Sequence, residues 1–349
     1  MRGWLVTMFL AVFAGALIAA ALGGCAQKSE PRAALDDVSA AALRSACAFG
    51  AGARAGQTVA TTAPLDDELP FDTIVVVLLQ GRSFDHLLGS MRGDVDARAP
   101  VGGHATRYCV DDPGDDWKRS HVAWAGGSDD GFAAAAATAA DPAGARVMQS
   151  YDAGDLPVLH ALAEGFAVSD RHFAAVLADA DANRAMLYGA TTHGRLDPSA
   201  DTPPAVVGDA GAPSLFSRLD AAGVSWRVYV AGDGPAALAP VRAQRAERFG
   251  GSFGTDAAHG TLPHVAFVEV SPEARGGGRF DFHAPGDVQL GDRFLAELYP
   301  DLTGSPQWGR MAVFITFLDG GGFYDHVPPP AACRPDAWGP GPGRDDLPL

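Results

Sequence analysis

Two polar clusters in this chain each follow an apolar run, and both hold residue types that can bind a metal or move a proton. The first, Gln80-Gly81-Arg82-Ser83-Phe84-Asp85-His86, follows the run Ile74–Leu79. The second, Leu318-Asp319-Gly320-Gly321-Gly322-Phe323-Tyr324-Asp325-His326, follows Met311–Phe317. Carboxylates suit hard divalent cations, and imidazole suits softer ones. A lone Asp-His pair is an ordinary cap or turn, but two of them at two strand ends could furnish a divalent site. The tip of the first cluster is odd, because Gln80 carries no charge and Gly81 has no side chain.

The elements that must position these clusters alternate along the chain. Phe71–Leu79 reads as a strand with β-branched residues on both faces, as in a central parallel sheet. Ser83–Met91 reads as a helix with Ser83 as N-cap. Residues 92–150 are rich in Gly and Asp and suggest loops with one helix over the alanine run Ala133–Ala140. Further helices are expected over Asp155–Phe166, Ala182–Ala190, Ser214–Ala222 and Val288–Tyr299. Strands are expected over Ser225–Val230, His264–Val270 and Met311–Phe317. This order argues for an α/β fold with a mostly parallel central sheet and flanking helices. Chemistry in such sheets collects beyond the carboxyl ends of the strands, where both clusters fall.

Composition narrows the partners. The chain has 349 residues, is 47% hydrophobic and carries a formal net charge of -16. That charge disfavours nucleic acid and anionic membrane surfaces, and no basic patch offsets it. The N-terminus has a short positive start, an uncharged apolar run from Trp4 to Leu22, and then Leu22-Gly23-Gly24-Cys25. This pattern reads as a lipoprotein signal peptide over residues 1–24, with acylation of Cys25 after cleavage. A plain membrane anchor is the competing reading, and both place the remainder outside the cytoplasm, tethered to the membrane. Residues 25–65 read as a tether and loosely ordered arm, in which Ala34–Ala46 has helical spacing. Residues 66–349 read as the folded domain. An oxidising compartment permits disulfides; Cys47 and Cys109 flank the first strand and are the preferred pair, which leaves Cys333 as the odd thiol.

With the strand ends located, longer motifs come into register. The chain resembles the bacterial phosphoesterase family that includes phosphatidylcholine-type phospholipases C and burst-inhibiting acid phosphatases. The resemblance runs from about Cys47 onward and implies an alkaline-phosphatase-like α/β fold. The family's Glu-Asn-Arg-Ser-Phe-Asp-His is QGRSFDH here. Its Asp-Leu-Pro, helix, Asp-Arg-x-Phe and Gly-Pro-Thr-x-Pro-Asn-Arg series corresponds to DLPVLHALAEGFAVSDRHFAAVLADADANR. Its Ile-Thr-Tyr-Asp-Glu-x-Gly-Gly-Phe-Tyr-Asp-His-Val-Pro-Pro corresponds to ITFLDGGGFYDHVPP. Shorter matches are WAGGSDDGF, VSWRVYV and SPQWGR.

The resemblance implies a divalent metal held by the Glu-Asn and Asp-Glu pairs, with the Thr of the middle motif as nucleophile. Gln80, Gly81, Leu318 and Asp319 stand at the ligand positions, Ala180 stands at the nucleophile, and Asp115 stands where relatives have a His. The family's chemistry needs a cation to neutralise phosphate oxygens and a hydroxyl to attack phosphorus. The expectation is therefore a degenerate phosphoesterase, with a phosphate ester or phospholipid as candidate ligand. The alternative is a hydrolase in which Asp179, Asp181 and Asp319 assemble a substitute metal site that activates water. A divalent metal is expected only in that case. Framework matches persist at Arg82, Phe84, Asp85, His86, Asp170, Asn183, Arg184, Asp325 and His326, and more weakly at His121, Asp130 and His283. Relatives continue past the third motif with a further strand and helices, so the sheet is expected to be incomplete at its C-terminal side, with an exposed edge.

Overall fold

A computed structural model describes residues 34–50, 52–65, 68–196, 214–230, 234–270 and 282–334. The signal segment, Cys25 and everything past residue 334 lie outside the described residues. The chain divides into two compact units at Glu68/Leu69. In the first unit, α1 (Asp37–Ser45) is capped by Asp36, whose carboxylate accepts from Ser39 N–H at 2.7 Å, and a short α2 (Ala55–Thr58) follows.

The second unit carries the sheet. Its elements run β1 (Thr73–Leu79), α3 (Phe84–Leu88), α4 (Trp117–Trp124), α5 (Phe132–Ala136), α6 (Pro157–Gly165), α7 (Ala180–Gly189) and α8 (Leu215–Ala221). Then come β2 (Trp226–Val230), α9 (Ala239–Gln244), α10 (Phe253–His259), β3 (Val265–Glu269), α11 (Val288–Thr303) and β4 (Met311–Phe317). Strand order is β2-β3-β1-β4, and every pairing is parallel. This is the α/β fold expected from the alternating pattern.

Period-two alternation along β1 splits the core between the two faces of the sheet. Val75, Val77 and Leu79 face a core with Leu156, Leu159, Leu295, Leu298 and Leu302 of the α6 and α11 side. Leu78 faces Trp226, Val228, Phe267, Tyr188 and Phe216 on the other side. Helix ends are satisfied across elements as well as locally. α6 starts at Pro157 without a side-chain cap of its own, and Asp292 of α11 accepts from Val158 and Leu159 N–H at 3.2 and 2.7 Å. The orphan donors of one helix thereby tie it to another.

Several boundaries differ from expectation. The alanine-run helix stops at Ala136, because Ala137 turns extended and Asp141 folds back on Thr138. α4, α9 and α10 fall where no regular element was expected. The cysteine pairing is also different. Cys109 is a free, exposed thiol, while Cys47 and Cys333 are both disulfide-bonded, so the expected Cys47–Cys109 bridge does not form. Flanking the same strand in sequence did not bring those two thiols together. Among the described residues no helix is long and apolar enough to cross a membrane.

Candidate functional site

The strand ends meet because the register pairs Leu78 with Glu269 and Leu79 with Phe317. Directly beyond them, Asp319 Oδ1 accepts from Gly81 N–H at 3.0 Å and from Gly321 N–H at 2.9 Å. Both glycines have positive φ, 76° and 59°. A Cβ on Gly321 would lie 2.1 Å from the Gly81 carbonyl oxygen, and one on Gly81 would lie 2.6 Å from His283 Cδ2. Glycine is required at both points by backbone angle and by space.

Gln80 is buried beside the end of β3, where Arg184 of α7 holds the ground. Arg184 Nε reaches both Glu269 carboxylate oxygens at 3.2 and 3.1 Å, and a terminal nitrogen donates to Gln80 Oε1 at 3.3 Å. The other terminal nitrogen pairs with Asp181 Oδ1 at 2.6 Å. Tyr188 OH donates to Glu269 at 2.9 Å. Burial, and then the Glu269 charge, hold the Tyr188 phenol well above its ordinary range. Asp181, Arg184 and Tyr188 fall on one face of α7 by helical spacing.

The position preceding that network is apolar. Ala180 opens α7 and packs against a cluster containing Leu318, Leu78, Tyr188, Phe216 and Phe267. Asp319, next in the chain after Leu318, is also buried. Its Oδ2 has no hydrogen-bond donor, yet its carboxyl group lies in hydrogen-bond contact with that of Asp115. Two carboxylates cannot meet in this way unless a proton or a cation lies between them. Burial, then the Asp115 charge, push Asp319 well up; burial also raises Asp115, with the Asp319 hydrogen bond and His283 acting in the opposite direction. Asp179, which caps α7 through Ala182 N–H at 2.9 Å, is pushed up to about 6 by burial and, in part, by Asp115. Asp115 and Asp319 are therefore in contact, and Asp179 feels the charge of Asp115. Asp181, expected among them, is turned away to Arg184.

The remaining framework residues brace loops. Asn183 Oδ1 accepts from Val176 N–H at 3.0 Å, and its amide donates to the carbonyls of Val176, Ala178 and Asp179. Arg82 is buried over the Phe323 ring at 4.1 Å, and its Nε donates to the Phe282 carbonyl. His86 Nδ1 donates to the Gln149 carbonyl at 2.7 Å, so its Nε2 accepts from Arg82 at 3.2 Å. Burial, then the Arg82 charge, keep that imidazole neutral. His121 stacks on Trp117 at 3.9 Å and bonds the carbonyl of that same residue, inside its own helix.

The four inherited ligand positions do not fit the metal that the resemblance implies. Gln80 is engaged by Arg184, Gly81 lacks a side chain, Leu318 belongs to the apolar cluster, and Asp319 alone offers a carboxylate.

A parallel sheet with motif loops gathered beyond its strand ends defines an α/β domain of the phosphoesterase type. The chain belongs to the Phosphoesterase family, whose sequence profile matches residues 71–345. It is similar to non-specific phospholipase C1 of Arabidopsis thaliana, 31% identical over 306 residues covering 76% of this chain and 56% of that protein. Non-specific phospholipase C4 of the same plant is 28% identical over 325 residues, covering 80% and 59%. Phospholipase C A of Mycobacterium tuberculosis is 27% identical over 323 residues, covering 74% and 60%. The chain thus spans about three fifths of the length of these relatives.

Sequence reasoning missed Glu269 and Tyr188. A single carboxylate closing the apolar run VAFVE was the available signal for the first, and helical spacing from Arg184 was the signal for the second. Asp115 was legible only as a departure from the family pattern.

Proposed function

We propose that this chain is a phosphoesterase-family lipoprotein of the cell envelope that does not carry out the family's phosphoryl transfer. The observation that carries the reading is that Ala180 packs against the apolar cluster in which Leu318 is buried, while Arg184 engages Gln80. A methyl group cannot attack phosphorus, and the groups that would neutralise phosphate oxygens have been exchanged for an internal ion pair. Loss of one such contact typically slows a reaction about 10²–10³-fold, and several losses in one unit remove the mechanism. A phosphate ester or phospholipid headgroup remains the ligand class in keeping with the family, bound without hydrolysis. The envelope address rests on Leu22-Gly23-Gly24-Cys25 and is supported by the disulfide-bonded state of Cys47 and Cys333, which needs an oxidising compartment.

The test is hydrolysis of p-nitrophenyl phosphate and of phosphatidylcholine with magnesium, manganese, zinc or calcium supplied. No turnover above background is expected. Turnover that Asp319→Ala abolishes would overturn the reading. Cell fractionation with Cys25→Ser tests the anchor, and a substituted chain that stays with the membrane removes the lipoprotein part.

One observation favours a second reading. Asp319 Oδ2 lacks a donor and lies against the Asp115 carboxyl group, so a cation drawn between these two carboxylates would serve a divergent hydrolase. The same assay separates the two, because this reading requires metal-dependent turnover that Asp115→Asn removes.

A further inference from the structure

The two edges of the sheet are finished differently. At one edge, β2 is short and carries Arg227. The loop after α9 also runs along it, where Gly250 N–H donates to the Val228 carbonyl at 2.9 Å and Phe249 bridges to Val228. At the other edge, β4 pairs with β1 in unbroken register from Met311 to Phe317 and has no strand on its far side among the described residues. Its sequence, MAVFITF, holds no charge, proline or glycine. Sheets guard an open edge with charge, proline, bulges or a covering loop. The edge at β2 uses two of these, and among the described residues β4 has none.

β4 is also bare on one face. Met311, Val313, Ile315 and Phe317 pack on the α6 and α11 side of the sheet. Ala312, Phe314 and Thr316 point to the opposite side. There the cluster around Phe216 and Trp226 takes Val76 and Leu78 of β1 but none of these three. Phe314, at the midpoint of the strand, is 54% exposed. Parallel sheets ordinarily bury both faces.

Backbone direction shows what fits this edge. The Arg310 carbonyl accepts from Asp72 N–H at 3.1 Å, and Leu318 N–H donates to the Leu79 carbonyl at 2.9 Å. The even-numbered residues of β4 therefore turn their backbone groups toward β1, and Val313, Ile315 and Phe317 aim theirs outward. Met311 N–H is taken by the Trp308 carbonyl, which leaves the Met311 carbonyl facing out. This pattern is complementary to itself. About a two-fold axis through Phe314, normal to the sheet, Val313 meets Ile315 of a second copy as a pair exchanging both hydrogen bonds. Phe317 N–H meets the Met311 carbonyl. Phe314 meets its own counterpart at the non-hydrogen-bonded position, where side chains stand closest. Every pairing sets an uncharged residue against an uncharged one, so the joint avoids the repulsion that a chain of formal net charge -16 meets elsewhere on its surface.

We propose that β4 is the contact edge of a symmetric dimer, in which the β4 strands of two copies of this chain pair antiparallel about Phe314 into one continuous sheet. The joint stands whether or not the strand-end site turns over any substrate.

The test uses the full chain carrying Cys109→Ser, which removes the exposed thiol. Facing Cα atoms in a non-hydrogen-bonded antiparallel pair lie about 4.5 Å apart, within the span of a disulfide. Phe314→Cys in that background should therefore cross-link to a dimer on a non-reducing gel after mild oxidation. Ala312→Cys should stay monomeric, because Thr316 is its counterpart. Light scattering at about 0.15 M salt, which screens repulsion beyond about 8 Å, follows the mass from micromolar to near-millimolar chain. A concentration-dependent doubling is expected, and Phe314→Lys should weaken it about tenfold or more by setting like charges face to face. A mass that stays at one chain throughout overturns the proposal. So does association that Phe314→Lys leaves unchanged, or Ala312→Cys cross-linking as readily as Phe314→Cys. Where a Phe314 variant does not fold, hydrogen exchange on the unaltered protein decides. The amides of Val313, Ile315 and Phe317 must exchange more slowly as concentration rises, and unchanged exchange there overturns the joint.

Discussion

Replacing Arg184 with methionine tests how firmly the strand end is closed. The substitution keeps most of the apolar stem and removes two contacts to Glu269 at 3.2 and 3.1 Å, one to Gln80 at 3.3 Å and one to Asp181 at 2.6 Å. Glu269 has a fully buried side chain and would keep only the Tyr188 hydroxyl. Removing one partner of a buried pair costs about 3–5 kcal/mol, mostly because the abandoned charge stays buried. The partly exposed Asp181 contact adds little, since screened pairs contribute about 0–1 kcal/mol. Exchanging both partners for apolar groups is often neutral, so Arg184→Met/Glu269→Leu should recover most of the loss. Equilibrium urea unfolding of the two single variants and the double variant gives the coupling directly, and about 2 kcal/mol or more is expected. A cost below about 1 kcal/mol for Arg184→Met, or strict additivity in the cycle, would refute the idea that this ion pair seals the site.

Three further outcomes follow from the same geometry. Gly321→Ala forces a Cβ to 2.1 Å from the Gly81 carbonyl at φ 59°, so it should destabilise by more than the ~1–2 kcal/mol of left-handed strain alone, read by urea unfolding. Asp179 is held up to about 6 in the fold, so the native state keeps its proton where the unfolded chain has lost it. Its stabilisation is therefore full below the ordinary carboxylate range and disappears as pH rises through about 6. Asp179→Asn, which still caps α7, should flatten that part of the Tm-against-pH curve, and an unchanged slope would count against it. Peptide mapping after alkylation without reductant should label Cys109 but leave Cys47 and Cys333 unlabelled until reduction.

Much of the scaffold was legible because the sheet is buried on both faces. Runs such as IVVVLL and MAVFITF have few other structural options, and β4 occupies the range expected for it. Ser83 announced its helix by capping chemistry and caps it as expected through His86 N–H, and Ser214, at the expected start of another helix, caps that one through Ser217 N–H. α4 was not legible, since WKRSHVAW has no clean apolar stripe and its start depends on Asp116. In the site, the motifs located the strand ends but not the side-chain traffic between them. Whether Asp181 turns toward Asp319 or toward Arg184 depends on Glu269, which lies 88 positions further along the chain. Nothing local to DADANR encodes that choice.

The contact between Gly81 and Gly321 has a consequence of its own. These two loops touch main chain to main chain, and one carboxylate oxygen of Asp319 bonds to both amides. The way the two strand-end loops meet is therefore set by backbone and largely indifferent to the side chains beside it. A chain built this way can change the side chains around these two loops without moving the loops themselves.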